Sequence, residues 1–461
     1  MKHLTYSEYK ESRVDWLGKI PKSWDLKPCR AIVRNCTDKN VGEKDKNYLS
    51  LMANIGVIRY EDKGDVGNKK PDDLTKCKIV KQGNLVINSM NYSIGSYGMS
   101  PYDGVCSPVY VVLDPNVNKV ERRFALRLFE NRSFQKYIAS FGNGILEHRA
   151  AIGWDDIKGA YIPLPPKEDQ KKILAFLDHE TAKIDTLIEK QKRLIKLLKE
   201  KRQAVISHAV TKGLNPNAKM KDSGVEWLGD VPEHWFPQQL RRFVMAMEQG
   251  KSPECENREA DSDEWGVLKT SCVNRGVYNQ RAHKALPKEI EPFGQSEVKS
   301  GDVLMSRASG SIQLIGSVAY VEYTRPKILL SDKIFRIHLS QQVEPKFFSL
   351  LMCSSVMRSN IERAISGAEG MANNITKGSV MSFYAALPPR EEQREIICHI
   401  DNELRNYDLL ISKVDSTIQL MMERRSALIS AAVTGKIDVR HHASHPTGEL
   451  QSSKSSVPGD W

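Results

Sequence analysis

The chain has 461 residues, which at roughly 100 to 200 residues per domain is room for two to four domains. Sixty-eight Lys and Arg against 57 Asp and Glu leave a formal charge of +11, a balance that favours polyanionic partners, and 40% hydrophobic residues exclude a wholly disordered chain. The opening residues lack the apolar core of a secretion signal, and no run of about eighteen apolar residues occurs, so a cytoplasmic protein is expected.

In chain order, the first element is an entry segment, Trp16-Leu17-Gly18-Lys19-Ile20-Pro21-Lys22-Ser23-Trp24. It returns as Trp227-Leu228-Gly229-Asp230-Val231-Pro232-Glu233-His234-Trp235, offset by 211 residues from Trp16 to Trp227. The paired tryptophans read as packing anchors. A turn feeding an apolar strand, Gly83-Asn84-Leu85-Val86-Ile87, is echoed by Gly301-Asp302-Val303-Leu304-Met305. Strands are expected over 109–113 and 333–337, and helices over 122–140 and 345–365. Each globular part, 1–163 and 214–386, is therefore an α/β mixture.

Leu164-Pro165-Pro166-Lys167-Glu168-Asp169-Gln170 is matched by Leu387-Pro388-Pro389-Arg390-Glu391-Glu392-Gln393, offset by 223, and the match runs without a gap to Ala209-Val210-Thr211 and Ala432-Val433-Thr434. Proline before the start and acidic residues in the first turn are helix-start signals, and Gly213 and Gly435 supply the stops. Residues 164–213 and 387–436 are thus expected to be two long helices. Steps of four and three residues predict a packing seam through Leu177, Ile184, Leu187, Leu194 and Leu198 in the first, and Ile400, Tyr407, Leu410, Met421 and Leu428 in the second. Glu180 and Glu403, like Lys201 and Arg424, interrupt the two seams at matching places, as expected of helices that pack on each other in an antiparallel intramolecular coiled coil. An intermolecular zipper is the alternative. Residues 437–461, rich in Ser, Pro, Gly and His, read as a disordered tail.

The eight cysteines are too scattered for a zinc site, and His441, His442 and His445 lack an acidic or Cys companion, so no metal site is expected. No phosphate loop exists, since Gly250-Lys251-Ser252 lacks the upstream glycine, and neither a nucleophile elbow, a His-Glu-x-x-His pair nor a base-methylation motif is found. A binding scaffold without catalysis is expected.

The order, duplication and spacing of these motifs over almost the full length resemble the specificity (S) subunit of Type I restriction-modification enzymes. The resemblance implies two α/β target-recognition domains joined by two long antiparallel helices, a pseudo-two-fold internal repeat. Each domain would read one half of a bipartite double-stranded DNA target, and the helices would set the spacer and dock two methyltransferase (M) subunits. The cofactors S-adenosylmethionine, ATP and Mg would belong to the M subunits and to restriction motor-nuclease (R) subunits, with none bound by this chain. A coiled-coil DNA-associated adaptor and a self-contained nuclease are the alternatives, and the duplicated globular parts argue against the adaptor.

The resemblance also places DNA-facing loops in each domain. In the first they hold Asn54, then Asn88, Ser89, Asn91 and Tyr92, then His148 and Arg149; in the second, Lys269, Thr270, Asn274 and Arg275, then Arg307, Ser309 and Ser311, then Asn373 and Asn374. The chemistry suits the task, because Asn can bond adenine bidentately, Arg can fork onto guanine, and Ser or Lys can hold phosphates. The two sets differ, so two different half-sites are expected.

Overall fold

A computed structural model of the chain describes residues 4–66, 69–141, 151–365 and 373–442. It resolves into two compact units, one formed by residues up to Lys190 together with those from Ser416 onward, the other by Gln191–Asp415.

Each unit is built on a four-stranded antiparallel sheet of the same order. In the first, Val33–Cys36, Tyr110–Pro115, Leu85–Asn88 and Tyr97–Met99 lie side by side, with Val112 opposite both Cys36 and Val86. In the second the order is Val244–Gln249, Ile334–Leu339, Val303–Ser306 and Val318–Tyr320. The central strands are buried on both faces, which is why they read as continuous apolar runs. The strand after the entry segment pairs with the strand before the long helix in both units, Asp25–Pro28 with Tyr161–Leu164 and Phe236–Gln239 with Tyr384–Leu387.

Both expected short helices are broken in two. Asn131 ends Arg122–Glu130 and its side-chain oxygen accepts the Ser133 N–H at 2.8 Å to start Arg132–Ala139. Ser354 caps Ser355–Ala364 after Pro345–Met352 in the same way. An Asx or Ser side chain competes with the backbone for these N–H groups and favours a new start over continuation.

The long helices span Lys167–Lys212 and Arg390–Val433, 46 and 44 residues. Their starts are secured by the glutamine of the repeated motif. Gln170 is fully buried, donating to the carbonyls of Pro165 (2.9 Å) and Lys119 (3.1 Å) and accepting the Glu121 N–H (2.8 Å). Gln393 repeats this with Pro388, Gln342 and Glu344. Within each unit the start of one helix meets the end of the other. Ile173 and Leu177 share a core with Ile429, Ala432 and Val433, and Ile396 and Ile400 share one with Ile206, Ala209 and Val210. The pairing is antiparallel and intramolecular, as expected.

The seam itself needs a correction. Leu177, Ile184 and Ile400 are buried and Leu198, Tyr407, Met421 and Leu428 half-buried, but Leu187, Leu194 and Leu410 are exposed. The side chains turned inward are Thr181, Ile188 and Ile195, and Leu404, Ile411 and Ile418, each one residue later than predicted. Every second seam position thus follows its predecessor by four residues and not three. Glu180, Lys201, Glu403 and Arg424 interrupted the predicted seam because they flank the real one.

Both entry tryptophans, Trp24 and Trp235, are fully buried against a helix end. A Cβ on Gly435 would come within 2.3 Å of Pro21 and 3.2 Å of Trp24, and one on Gly213 within 3.4 Å of Trp235. Both glycines have positive φ, +73° and +77°, which ends the helices. The residues after Gly435 do not begin a disordered tail: Val439 is buried, Asp438 donates its N–H to the Leu4 carbonyl at 2.7 Å, and Arg440 lies 4.6 Å from the Tyr6 ring centroid while pairing with Asp438. Hydrophobic contact and this ion pair hold a stretch whose polar composition suggested none. His445 and the rest of the predicted tail, residues 443–461, lie outside the described residues.

Candidate nucleic-acid interface

In the first unit the hairpin Leu49–Met52 and Gly56–Arg59 turns through Asn54, whose φ of +61° is left-handed. Its N–H donates to the Gly95 carbonyl at 2.9 Å, so the first loop is tied to the second. The second loop leaves the central strand at Asn88. That side chain is buried and accepts the Met90 N–H at 3.1 Å, so it shapes the turn. Asn91 is exposed, and its side-chain carboxamide bonds to no described residue. The two loops border a cleft of about 190 Å³ lined by Met52, Ala53, Asn88, Asn91 and Ile94 among others.

Tyr92 does not belong to this surface. It is buried, its hydroxyl donates to the Phe129 carbonyl at 2.6 Å, and burial raises its pKa well above the ordinary phenol value. Its ring fills the core where a base-stacking role requires exposure. Ser89 is half-buried and its carbonyl accepts the Ile152 N–H at 3.0 Å. His148 and Arg149 lie outside the described residues.

In the second unit the first loop follows the strand Gly266–Leu268. Lys269 is anchored by its N–H to the Ala282 carbonyl at 2.8 Å, and Lys269, Thr270 and Asn274 are half-buried. Arg275 then adopts φ +59°, ψ 26°, unusual for a non-glycine residue, and projects exposed with no side-chain partner among the described residues. The second and third loops are stitched together: Arg307 accepts the Ile375 N–H on its carbonyl at 3.0 Å, and Ala308 bridges Asn374. The Arg307 guanidinium is half-buried yet pairs with no described residue. Such a cation, close to the surface and uncompensated, is suited to an incoming acceptor. Ser309 and Asn373 are half-buried beside it and Ser311 is exposed.

Sequence reasoning missed the support behind these loops. Arg358 reaches from the helix Ser355–Ala364 to the carbonyls of Ile315 (2.5 Å) and Ile312 (3.1 Å), fixing the second loop from below. Arg336 is buried in the central strand between Glu248 and Asp302; hydrogen bonds from His338 and Arg336 hold the Glu248 carboxyl below the usual range. Gly250 allows a close pass of the Leu330 carbonyl, and Ser252 bonds Asp332, so the Gly-Lys-Ser triplet packs one strand end against the next. Among the described residues no group of His, Cys, Asp or Glu is arranged to hold a metal ion, and no helix is long and apolar enough to cross a membrane.

Residues 29–197 match the family model described as Type I restriction modification DNA specificity domain. The chain is 30% identical over 247 residues to the Type I restriction enzyme EcoEI specificity subunit of Escherichia coli, a match spanning 53% of this chain and 41% of that one. It is 24% identical over 459 residues to the EcoKI specificity subunit of Escherichia coli strain K12, covering 95% and 94% of the two. A similar likeness, 24% over 444 residues, is to the putative MjaX specificity subunit of Methanocaldococcus jannaschii, covering 92% and 96%. A solved chain from a study of complex assembly and conformational transition of the type I R-M system shares the fold at TM-score 0.61 and 15% identity, covering 90% of this chain and 98% of that one. In its duplicated motifs, its repeated sheet and these likenesses, the chain is similar to Type I restriction-modification specificity subunits.

Proposed function

We propose that this chain is the sequence-specific DNA-recognition subunit of a Type I restriction-modification complex, each domain reading one half of a bipartite target. The observation that carries the reading is the recurrence, at the end of the same interior strand of two identically ordered sheets, of a loop that presents an unpaired base-reading group, Asn91 after Leu85–Asn88 and Arg307 after Val303–Ser306; Arg275 adds another on the loop after the separate strand Gly266–Leu268. The chain itself performs no catalysis in this reading. Methyltransferase subunits carry S-adenosylmethionine and the methylation chemistry, and motor-nuclease subunits carry ATP, Mg and cleavage. The complex works on cytoplasmic DNA.

The long helices dock two methyltransferase subunits and set the length of an unread spacer. Their exposed leucines support the docking: Leu187, Leu194 and Leu197 on the first helix, Leu409, Leu410 and Leu420 on the second. Large apolar side chains left in water on a helix flank are typical of surfaces that a partner covers. Mapping methylated adenines across the genome with and without this chain tests the reading. Methylation confined to one bipartite motif that vanishes without the chain is the expected result; a methylation pattern indifferent to the chain refutes it.

A further inference from the structure

Three of the large aliphatic side chains that the first recognition domain leaves in water sit on the loops that carry its amides: Ile55 is 69% exposed, Met90 52% and Ile94 55%. They form one group. Asn54 donates its N–H to the Gly95 carbonyl, which brings the turn holding Ile55 against the turn holding Ile94. Beneath them the chain is compressed, since a Cβ on Gly98 would lie 2.7 Å from the Gly56 Cα and one on Gly95 2.4 Å from the Asn54 side-chain oxygen. Met90 is fixed to the same loop through its N–H to Asn88. Asn91, next to Met90 in the chain, is exposed on the same loop and lines the same cleft as Ile94.

Single apolar residues on a surface need no explanation, but three of them around two exposed carboxamides on mutually bonded loops do. Their chemistry matches the major-groove edge of an A·T pair. That edge presents the adenine N7 acceptor and N6 donor, which a carboxamide complements, and the thymine 5-methyl group, which only an apolar contact can recognise. In the second domain the same loops offer the guanidinium forks of Arg275 and Arg307, the complement of guanine.

Resting on the reading of this chain as a DNA-recognition subunit, we propose that Ile55, Met90 and Ile94 read thymine 5-methyl groups, so that the half-site of the first domain contains A·T pairs recognised by methyl contact beside the amide hydrogen bonds. The occupant of this apolar patch is therefore duplex DNA.

The test uses the full chain assembled with its methyltransferase and duplexes of the mapped target, in which each thymine in turn is replaced by deoxyuridine, which lacks only the methyl group. At one or more thymines of one half-site, the replacement weakens binding about fourfold, roughly what one methyl group taken out of water is worth. An Ile55→Ala, Ile94→Ala double variant binds the thymine duplex correspondingly less well and no longer distinguishes deoxyuridine at that position. The proposal is overturned if the unaltered complex binds every deoxyuridine duplex as it binds thymine, or if the variant keeps the discrimination. It is equally overturned if the variant loses affinity evenly over all sequences, as for a wedge between bases, or releases the methyltransferase, as for a protein contact. Sequence-selective binding without methyl discrimination leaves the recognition reading standing; an unaltered complex with no sequence selectivity brings down both.

Discussion

Arg307 occupies the point where the second and third loops of its domain meet, with its backbone used at both ends: the N–H donates to Lys333 and the carbonyl accepts from Ile375. A guanidinium on so constrained a backbone loses little entropy when it engages a base, which suits it to specificity. Arg307→Ala should cost about 1 to 3 kcal/mol at one base pair of one half-site and relax preference there, and Asn91→Ala should act only on the other half-site. Binding titrations against single-base variants of the target check this, and an even loss over all sequences marks either side chain as a phosphate contact. A structural pair makes a sharper comparison. Gly213→Ala and Gly435→Ala both force alanine into a left-handed backbone at about 1 kcal/mol, but only at Gly435 does the new methyl collide with a ring, 2.3 Å from Pro21, whereas at Gly213 it rests in contact 3.4 Å from Trp235. Gly435→Ala should therefore be the costlier by a further 1 to 3 kcal/mol, roughly the strain of an overfilled core, read as the larger fall in unfolding temperature.

The helices show what periodicity can and cannot say. Heptad steps of three and four residues, taken in either order, share half their positions, and those shared positions, Leu177, Ile184, Leu198, Ile400, Tyr407, Met421 and Leu428, are buried or half-buried. The other half hinged on whether Leu187 or Ile188 faced inward, and both are apolar. The charged interruption at Glu180 held the answer, because Thr181 one residue on is buried. Leu187 and Leu194 beside the seam blurred the pattern because they are apolar and yet exposed. Ile188→Ala should cost about 2 to 4 kcal/mol of stability, whereas Leu187→Ala should stay within about 0.5 kcal/mol and instead weaken retention of the methyltransferase in a pull-down. Equal destabilisation by both substitutions would contradict the inward assignment of Ile188. The loops were legible as places and less so as roles. Nothing local in the sequence separates the buried Tyr92 from the exposed Asn91, and Arg358 lies too far along the chain from the carbonyls it holds for spacing to reveal it.

At the scale of the whole molecule, the duplication was the most legible feature, because a repeat in sequence dictates a repeat in packing. The two sheets share one strand order, and Gln170 and Gln393 make the same three hydrogen bonds. If the helices set the spacer, a seven-residue insertion in both, after Lys190 and after Asp415, preserves the seam and lengthens each by about 10 Å, the rise of about three base pairs. The preferred spacer should grow by about three base pairs, and sequencing the methylated sites of the assembled variant reads this directly. Since three base pairs also rotate one half-site by about 100°, methylation weaker than that of the original complex is expected as well. An unchanged spacer removes the helices as the ruler.

The division of the two units along the chain has a consequence for synthesis. The second unit is one continuous stretch, Gln191–Asp415, while the first needs residues up to Lys190 and those from Ser416 onward. A ribosome adding roughly 5 to 20 residues per second takes about 11 to 45 s to make the 225 residues between. Throughout that interval Ile173, Phe176 and Leu177 lack the Ile429, Ala432 and Val433 that complete their core. The domain made first is therefore the one finished last, and its open apolar face is what a chaperone or a protease would meet on the nascent chain.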